Sequence, residues 1–139
     1  DAAVQKFNDL GDQMKAAEQR MKDISELQEH IGAYSKTREI YAQYRKLAGR
    51  KREKFYKQHS SEITACQAAK RYFNSLGLKK LPSMQSLKQE YAMLKAENKK
   101  RYKQAREKMI ELLTAKNNVE RILGATEKEK NRDRQQGAR

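Results

Sequence analysis

Tryptophan is absent from this chain, and proline and cysteine occur once each among 139 residues, with only six glycines. So few chain breakers leave room for long helices and argue against a turn-rich β fold, and no segment reads as a strand. The lone Cys66 excludes an internal disulfide and any multi-cysteine metal site, a usage that suits a reducing cytoplasm. Apolar residues make up 37% of the chain and charged residues 36%, so the core must be thin. An elongated helical bundle or coiled coil fits that balance better than a globule with a thick centre. No apolar run approaches the roughly 18 residues needed to cross a bilayer, and no signal-peptide pattern opens the chain. A soluble, cytoplasmic protein without membrane insertion is the expectation. The chain starts at Asp1 without an initiator methionine and reads as a piece of something larger.

Acid is the other scarcity. Lys and Arg number 32 against 18 Asp and Glu, a net charge of +14 at pH 7, which points to a polyanionic partner: nucleic acid first, an anionic membrane surface second.

What is present is helical periodicity. From Ala2 to Ile31 the apolar residues Val4, Phe7, Leu10, Met14, Ala17, Met21, Ile24, Leu27 and Ile31 recur every three or four positions. The segment up to Ile31 carries seven acids against four bases, so the basic helices that follow are its natural neighbours. Gly32 marks a stop or a bend, with Ser35 available to cap a second helix over residues 36–58. That helix turns Ile40, Tyr41, Tyr44, Leu47, Ala48 and Phe55 inward. Ser60 or Ser61 can cap a third helix over 61–76, where Ile63, Cys66, Ala69, Tyr72, Phe73 and Leu76 form the stripe. Gly77 fits a left-handed C-cap and Leu78 its hydrophobic contact. Leu81, Pro82 and Ser83 read as a connector ending in an N-cap.

The fourth helix, residues 84–123, contains neither Gly nor Pro and would extend about 60 Å. Its seam runs through Leu87, Tyr91, Leu94, Tyr102, Ala105, Met109, Leu112, Val119 and Leu123. Regular steps from Tyr102 onward predict tight packing there, whereas Asn98 and Lys99-Lys100-Arg101 predict a wetter middle. Residues 124–139 lack any large apolar side chain and are expected to form a basic, disordered tail. A single elongated domain over 1–123 follows, with the fourth helix antiparallel to the first two.

Catalytic signals are lacking. His30 and His59 have no spaced His or Cys neighbours for zinc, Cys66 sits on an apolar stripe, and no phosphate-binding glycine loop or nucleophile elbow occurs. No cofactor or metal is expected. Two basic clusters stand out: Arg50, Lys51, Arg52, Lys54 and Lys57 on the second helix, and Lys99, Lys100, Arg101, Lys103 and Arg106 on the fourth. They can be solvated faces partly neutralised by the acidic first helix, or they can contact phosphates by counterion release with little sequence preference. Nothing in the pattern commits a helix to base readout in the major groove.

Lys54-Phe55-Tyr56, Glu62-Ile63, Ala68-Ala69-Lys70-Arg71-Tyr72-Phe73, Leu78-Lys79-Lys80-Leu81-Pro82-Ser83, Leu87-Lys88-Gln89-Glu90-Tyr91 and Lys116-Asn117-Asn118-Val119-Glu120 carry a resemblance. Over roughly Tyr34 to Leu123 the chain resembles the C-terminal helical region of relaxases. These mobilisation nucleases of conjugative and mobilisable elements nick one strand at the transfer origin and accompany it into the recipient. Their nuclease chemistry belongs to an N-terminal domain with a histidine-rich metal site and a nucleophilic tyrosine, neither of which can be assembled here. The resemblance therefore implies a non-catalytic accessory domain that binds DNA, forms dimers, or engages the coupling protein and type IV secretion machinery. Arg132, Arg134 and Arg139 are similar to the arginine-bearing C-terminal signals of some secreted substrates. The expectation is backbone binding of DNA through the two clusters, the alternative a dimerisation or docking module without DNA contact.

Overall fold

The computed structural model describes residues 1–137, with side chains for 1–129, 131 and 132. These residues form three helices and no strand: α1 Ala2–Lys46, α2 Gly49–Ser75 and α3 Met84–Gly137. The all-α class holds, but the elements are divided differently from the sequence-based expectation. The chain also divides into two compact units, one of Glu18–Lys95 and one of Asp1–Ala17 with Ala96–Arg139.

Gly32 does not interrupt α1. Its backbone is helical, and Ile31 and Thr37 on either side are both buried. The Thr37 hydroxyl donates to the Ala33 carbonyl at 2.7 Å, so a buried polar group is satisfied within the helix. Ser35 therefore caps nothing. The chain reverses instead at Leu47 and Ala48, where Gly49 takes φ +60°. An L side chain in that region costs roughly 1–2 kcal/mol, so glycine is the residue suited to the turn. The expected gap between residues 58 and 61 is a kink: His59 leaves helical geometry (φ −128°, ψ 27°), and α2 resumes directly after it.

The end of α2 follows its sequence signals. Gly77 holds φ +67°, the Gly77 amide donates to the Asn74 carbonyl at 3.0 Å and the Leu78 amide to that of Phe73 at 3.2 Å, the paired bonds of a Schellman cap. Ser83 caps α3 by accepting from the Ser86 amide at 3.1 Å.

In the unit Glu18–Lys95, α1 and α2 form an antiparallel hairpin. His30 stacks on Tyr72 at 3.9 Å between ring centroids, Tyr34 meets Phe73 edge-on at 5.8 Å, and Tyr44 approaches Tyr56 at 5.9 Å. The core cluster is Ile24, Leu27, Ile31, Ala69, Phe73 and Leu87. Burying a large aliphatic or aromatic side chain is worth about 1.5–3 kcal/mol. The Arg20–Glu90 pair, bidentate at 2.9 and 3.1 Å but well exposed, contributes on the order of 0.2–1 kcal/mol. Apolar packing, rather than the ion pair, holds this unit.

In the unit of Asp1–Ala17 and Ala96–Arg139, Leu10, Ala17 and Ala105 are buried. Asn98 is half-buried on the seam, where its amide donates to the Met14 carbonyl at 3.1 Å and its oxygen accepts from Arg101 at 3.0 Å. The expected wet middle is thus a satisfied polar layer. Packing fails further along. Ile110, Leu113, Val119, Ile122 and Leu123 are all more than half exposed, and Tyr102 and Met109 are exposed with them. For the stretch beyond Ile110 the physical reason is length: α1 has only thirteen residues before Met14, so it ends at its own N-terminus before the second half of the seam can be covered. Beyond Leu123 the expected disordered tail is helical as far as Gly137, because Glu, Lys, Arg and Gln are good helix formers and need no buried face to adopt the conformation.

Candidate nucleic-acid interface

The two basic clusters share one pattern. Arg50, Lys54 and Lys57 lie at i, i+4 and i+7 on α2, with Lys51 at i+1; Lys99, Lys103 and Arg106 repeat those intervals on α3, with Lys100 at i+1. Residues so spaced share one helix face and span about 10 Å, the length of roughly three phosphates along one strand of B-form DNA. All eight are exposed, and on α3 they lie opposite buried Ala105.

The residue at i+2 behaves differently in both. Arg52 lays its guanidinium 4.4 Å from the centroid of the Tyr44 ring. Arg101 is held by Asn98 and, at 3.4 Å, by Glu97. Of the ten candidate residues, eight point outward with no ion-pair partner among the described residues and two are engaged within the fold.

Neutralisation by the acidic first helix does not occur among the described residues. Three ion pairs form there: Arg20–Glu90, Arg101–Glu97 and Lys108–Glu111. The one that joins α1 to α3 runs in the opposite sense, with the base on α1. Asp9 and Asp23 accept from Gln5 and Gln19 one helical turn away, leaving the outward lysines and arginines without carboxylate partners.

The reversal at Ala48 puts the first cluster in the opening turns of α2. Ala48 provides no side-chain cap, and no acid occupies the first turn, so this helix end is positive throughout. The hairpin also gathers tyrosines that the linear sequence separates. Tyr44, Gly49, Arg52, Glu53, Tyr56 and Lys57 line an open cleft of about 430 Å³. Tyr41 and Tyr44, expected to face inward, are half-buried, whereas Tyr56 beside them is 41% exposed. Gly49, read as a turn, was the signal that would have brought these rings together.

Other chemistry is sparse. Among the described residues no group of three or more His, Cys, Asp or Glu could hold a metal ion, and no helix is long and apolar enough to cross a membrane. His30 and His59 pack on Tyr72 and Phe55, the latter at 4.5 Å. Cys66 is fully buried. Burial first, then Glu26 and Asp23, push the Tyr72 phenol above its ordinary pKa, and hydrogen bonding to Glu90 raises Arg20, so both keep their protons at neutral pH. Of the tail arginines, Arg132 is exposed; the side chain of Arg134 and the whole of Arg139 lie outside the described residues. No family model matches this chain, and neither a curated protein nor a solved structure shows significant similarity to it.

Proposed function

We propose that this chain is a non-catalytic C-terminal accessory domain of a DNA-mobilisation relaxase and binds DNA backbone with little sequence preference during conjugative transfer. The observation that supports the reading is the pair of outward stripes, Arg50, Lys51, Lys54 and Lys57 on α2 and Lys99, Lys100, Lys103 and Arg106 on α3, exposed and without ion-pair partners among the described residues. Unpaired helical cations at this density bind phosphate chiefly by releasing counterions. The helical resemblance supplies the biological setting, and the exposed Arg132 is available for contact with transfer machinery.

Titration of the 139-residue chain with arbitrary duplex DNA at several salt concentrations tests the reading. The plot of log K against log salt is expected to have a slope of about −4 to −7. Reversing Lys99, Lys103 and Arg106 to Glu should reduce its magnitude by about 3, as should reversing Arg50, Lys54 and Lys57. Absence of binding at low salt would overturn it. In a relaxase carrying this region, the same reversals should leave strand nicking intact and weaken retention of the nicked DNA.

A second reading is favoured by the bare half of the α3 seam. Met109, Leu112, Val119 and Leu123 continue its three-four spacing past the end of α1, and most of that surface is open. Residues 107–129 hold five glutamates and four bases, a near-neutral stretch in a basic chain. A second copy of α3 can approach it without net repulsion, so self-association through this segment is the alternative role, with DNA contact incidental.

A further inference from the structure

We infer that the α1–α2 hairpin carries a base-stacking track for single-stranded nucleic acid, formed by Tyr41, Tyr44 and Tyr56 with Arg52, Lys57, Lys70 and Arg71. The inference rests on the DNA-binding reading above and adds to it the strand state recognised and the residues that recognise it.

The three rings follow one another, Tyr41 to Tyr44 at 6.3 Å and Tyr44 to Tyr56 at 5.9 Å between centroids. Each flank of the series is a cleft. One, of about 430 Å³, is walled by Tyr44, Tyr56, Arg52 and Lys57; the other, of about 480 Å³, by Tyr41, Lys70 and Arg71. Both are shallow and open to solvent along their length, grooves rather than enclosed pockets. Two cations already lie over the rings, Arg52 at 4.4 Å from Tyr44 and Lys70 at 4.9 Å from Tyr41. The open surface thus alternates aromatic and cationic groups, Glu53 being its one acid. Tyr56 presents the most exposed ring, and Gly49 beside it leaves the entrance free of any side chain.

Phosphate contact can use a tyrosine hydroxyl but has no use for a ring face, and an intact duplex has no free base faces to offer one. Unstacked bases do: a basic groove that follows the backbone and aromatic rings that take successive bases are the two components of sequence-tolerant single-strand binding. The Arg52 guanidinium is itself planar and can stack on a base as well as neutralise a phosphate. An acidic peptide would satisfy the cations and leave the rings unused.

The test uses the 139-residue chain with a fluorescent oligo(dT), an abasic strand of the same length, a duplex and poly-glutamate, with affinities compared at matched salt and the salt slope taken from a series of salt concentrations. Oligo(dT) is expected to bind at least about fivefold tighter than the abasic strand, the smallest advantage one stacked base confers. Tyr56→Ala should remove most of that difference while leaving abasic-strand affinity and the salt slope unchanged, and Tyr56→Phe should retain it. Circular dichroism of each variant checks that the helices persist, which the exposure of Tyr56 favours. Equal binding of oligo(dT) and abasic strands, an unaffected Tyr56→Ala variant, or poly-glutamate binding as tightly as oligo(dT) would each overturn the track. If the duplex and abasic strand still bind with a steep salt slope, backbone binding survives and the track alone fails; if no nucleic acid binds, both readings fall.

Discussion

Gly32 lies in unbroken helix with nothing within 4 Å of where a Cβ would stand, whereas Gly49 has the same open space but φ +60°. The same substitution should therefore act in opposite directions. Gly32→Ala removes backbone freedom from the unfolded chain at a compatible site and is expected to stabilise the fold by about 0.5–1 kcal/mol. Gly49→Ala forces an L residue into the left-handed region and should destabilise it by about 1–2 kcal/mol. Urea denaturation of the two variants checks both signs; a stabilised Gly49→Ala protein would mean that the reversal is not held at that residue. The contrast also explains a limit of the sequence. Glycine marks a break only where flanking apolar residues no longer face one partner. Around Gly32 they still do, as Ile31 and Thr37 are buried, and that partner is known only once the chain has folded.

Among elements, the cap residues were legible because their chemistry is local. Gly77 with Leu78 and Pro82 with Ser83 act on backbone groups within a few residues, and each occupies its expected role. Pairing between helices was not legible in the same way. Asn98 looked like a defect in the seam until the Met14 carbonyl supplied its partner, and the bare stretch after Ala105 looked like good core because periodicity reports which face a helix offers, not whether anything covers it. The tyrosine track has the same origin, since Tyr44 and Tyr56 meet only through the reversal at Ala48. The uncovered half of α3 has a measurable counterpart. If a second copy covers it, sedimentation equilibrium should show concentration-dependent dimers, and replacing Leu112 and Leu123 with Lys should weaken dimerisation by at least about tenfold, since each fully buried leucine is worth roughly 1.5–3 kcal/mol. A concentration-independent monomer would set that role aside.

For the molecule as a whole, charge works against compaction. A net charge of +14 is opposed by only three ion pairs among the described residues, and the outward stripes repel within themselves. Raising ionic strength from about 0.01 to about 0.1 M shortens the screening length from about 30 to about 10 Å. The urea midpoint should rise over that interval, while affinity for DNA falls. Stability that ignores salt would mean that the cations are too far apart to oppose folding. The opposite responses of folding and binding separate charge held for a ligand from charge held by the fold. The all-helical class and the two basic clusters could be read from composition and spacing; the division into two units could not, because it depends on where side chains stop meeting.

Cys66 is the only sulfhydryl in the chain and has no exposed surface. A thiol-specific reagent therefore has one target, and can reach it only when its surroundings on α2 come apart. When closing outpaces modification, the rate at which a maleimide consumes the thiol reports the equilibrium for local opening; when modification is faster, it times the opening itself. The solitary sulfur thus makes the chain its own clock for how often the hairpin breathes, with no engineered label required.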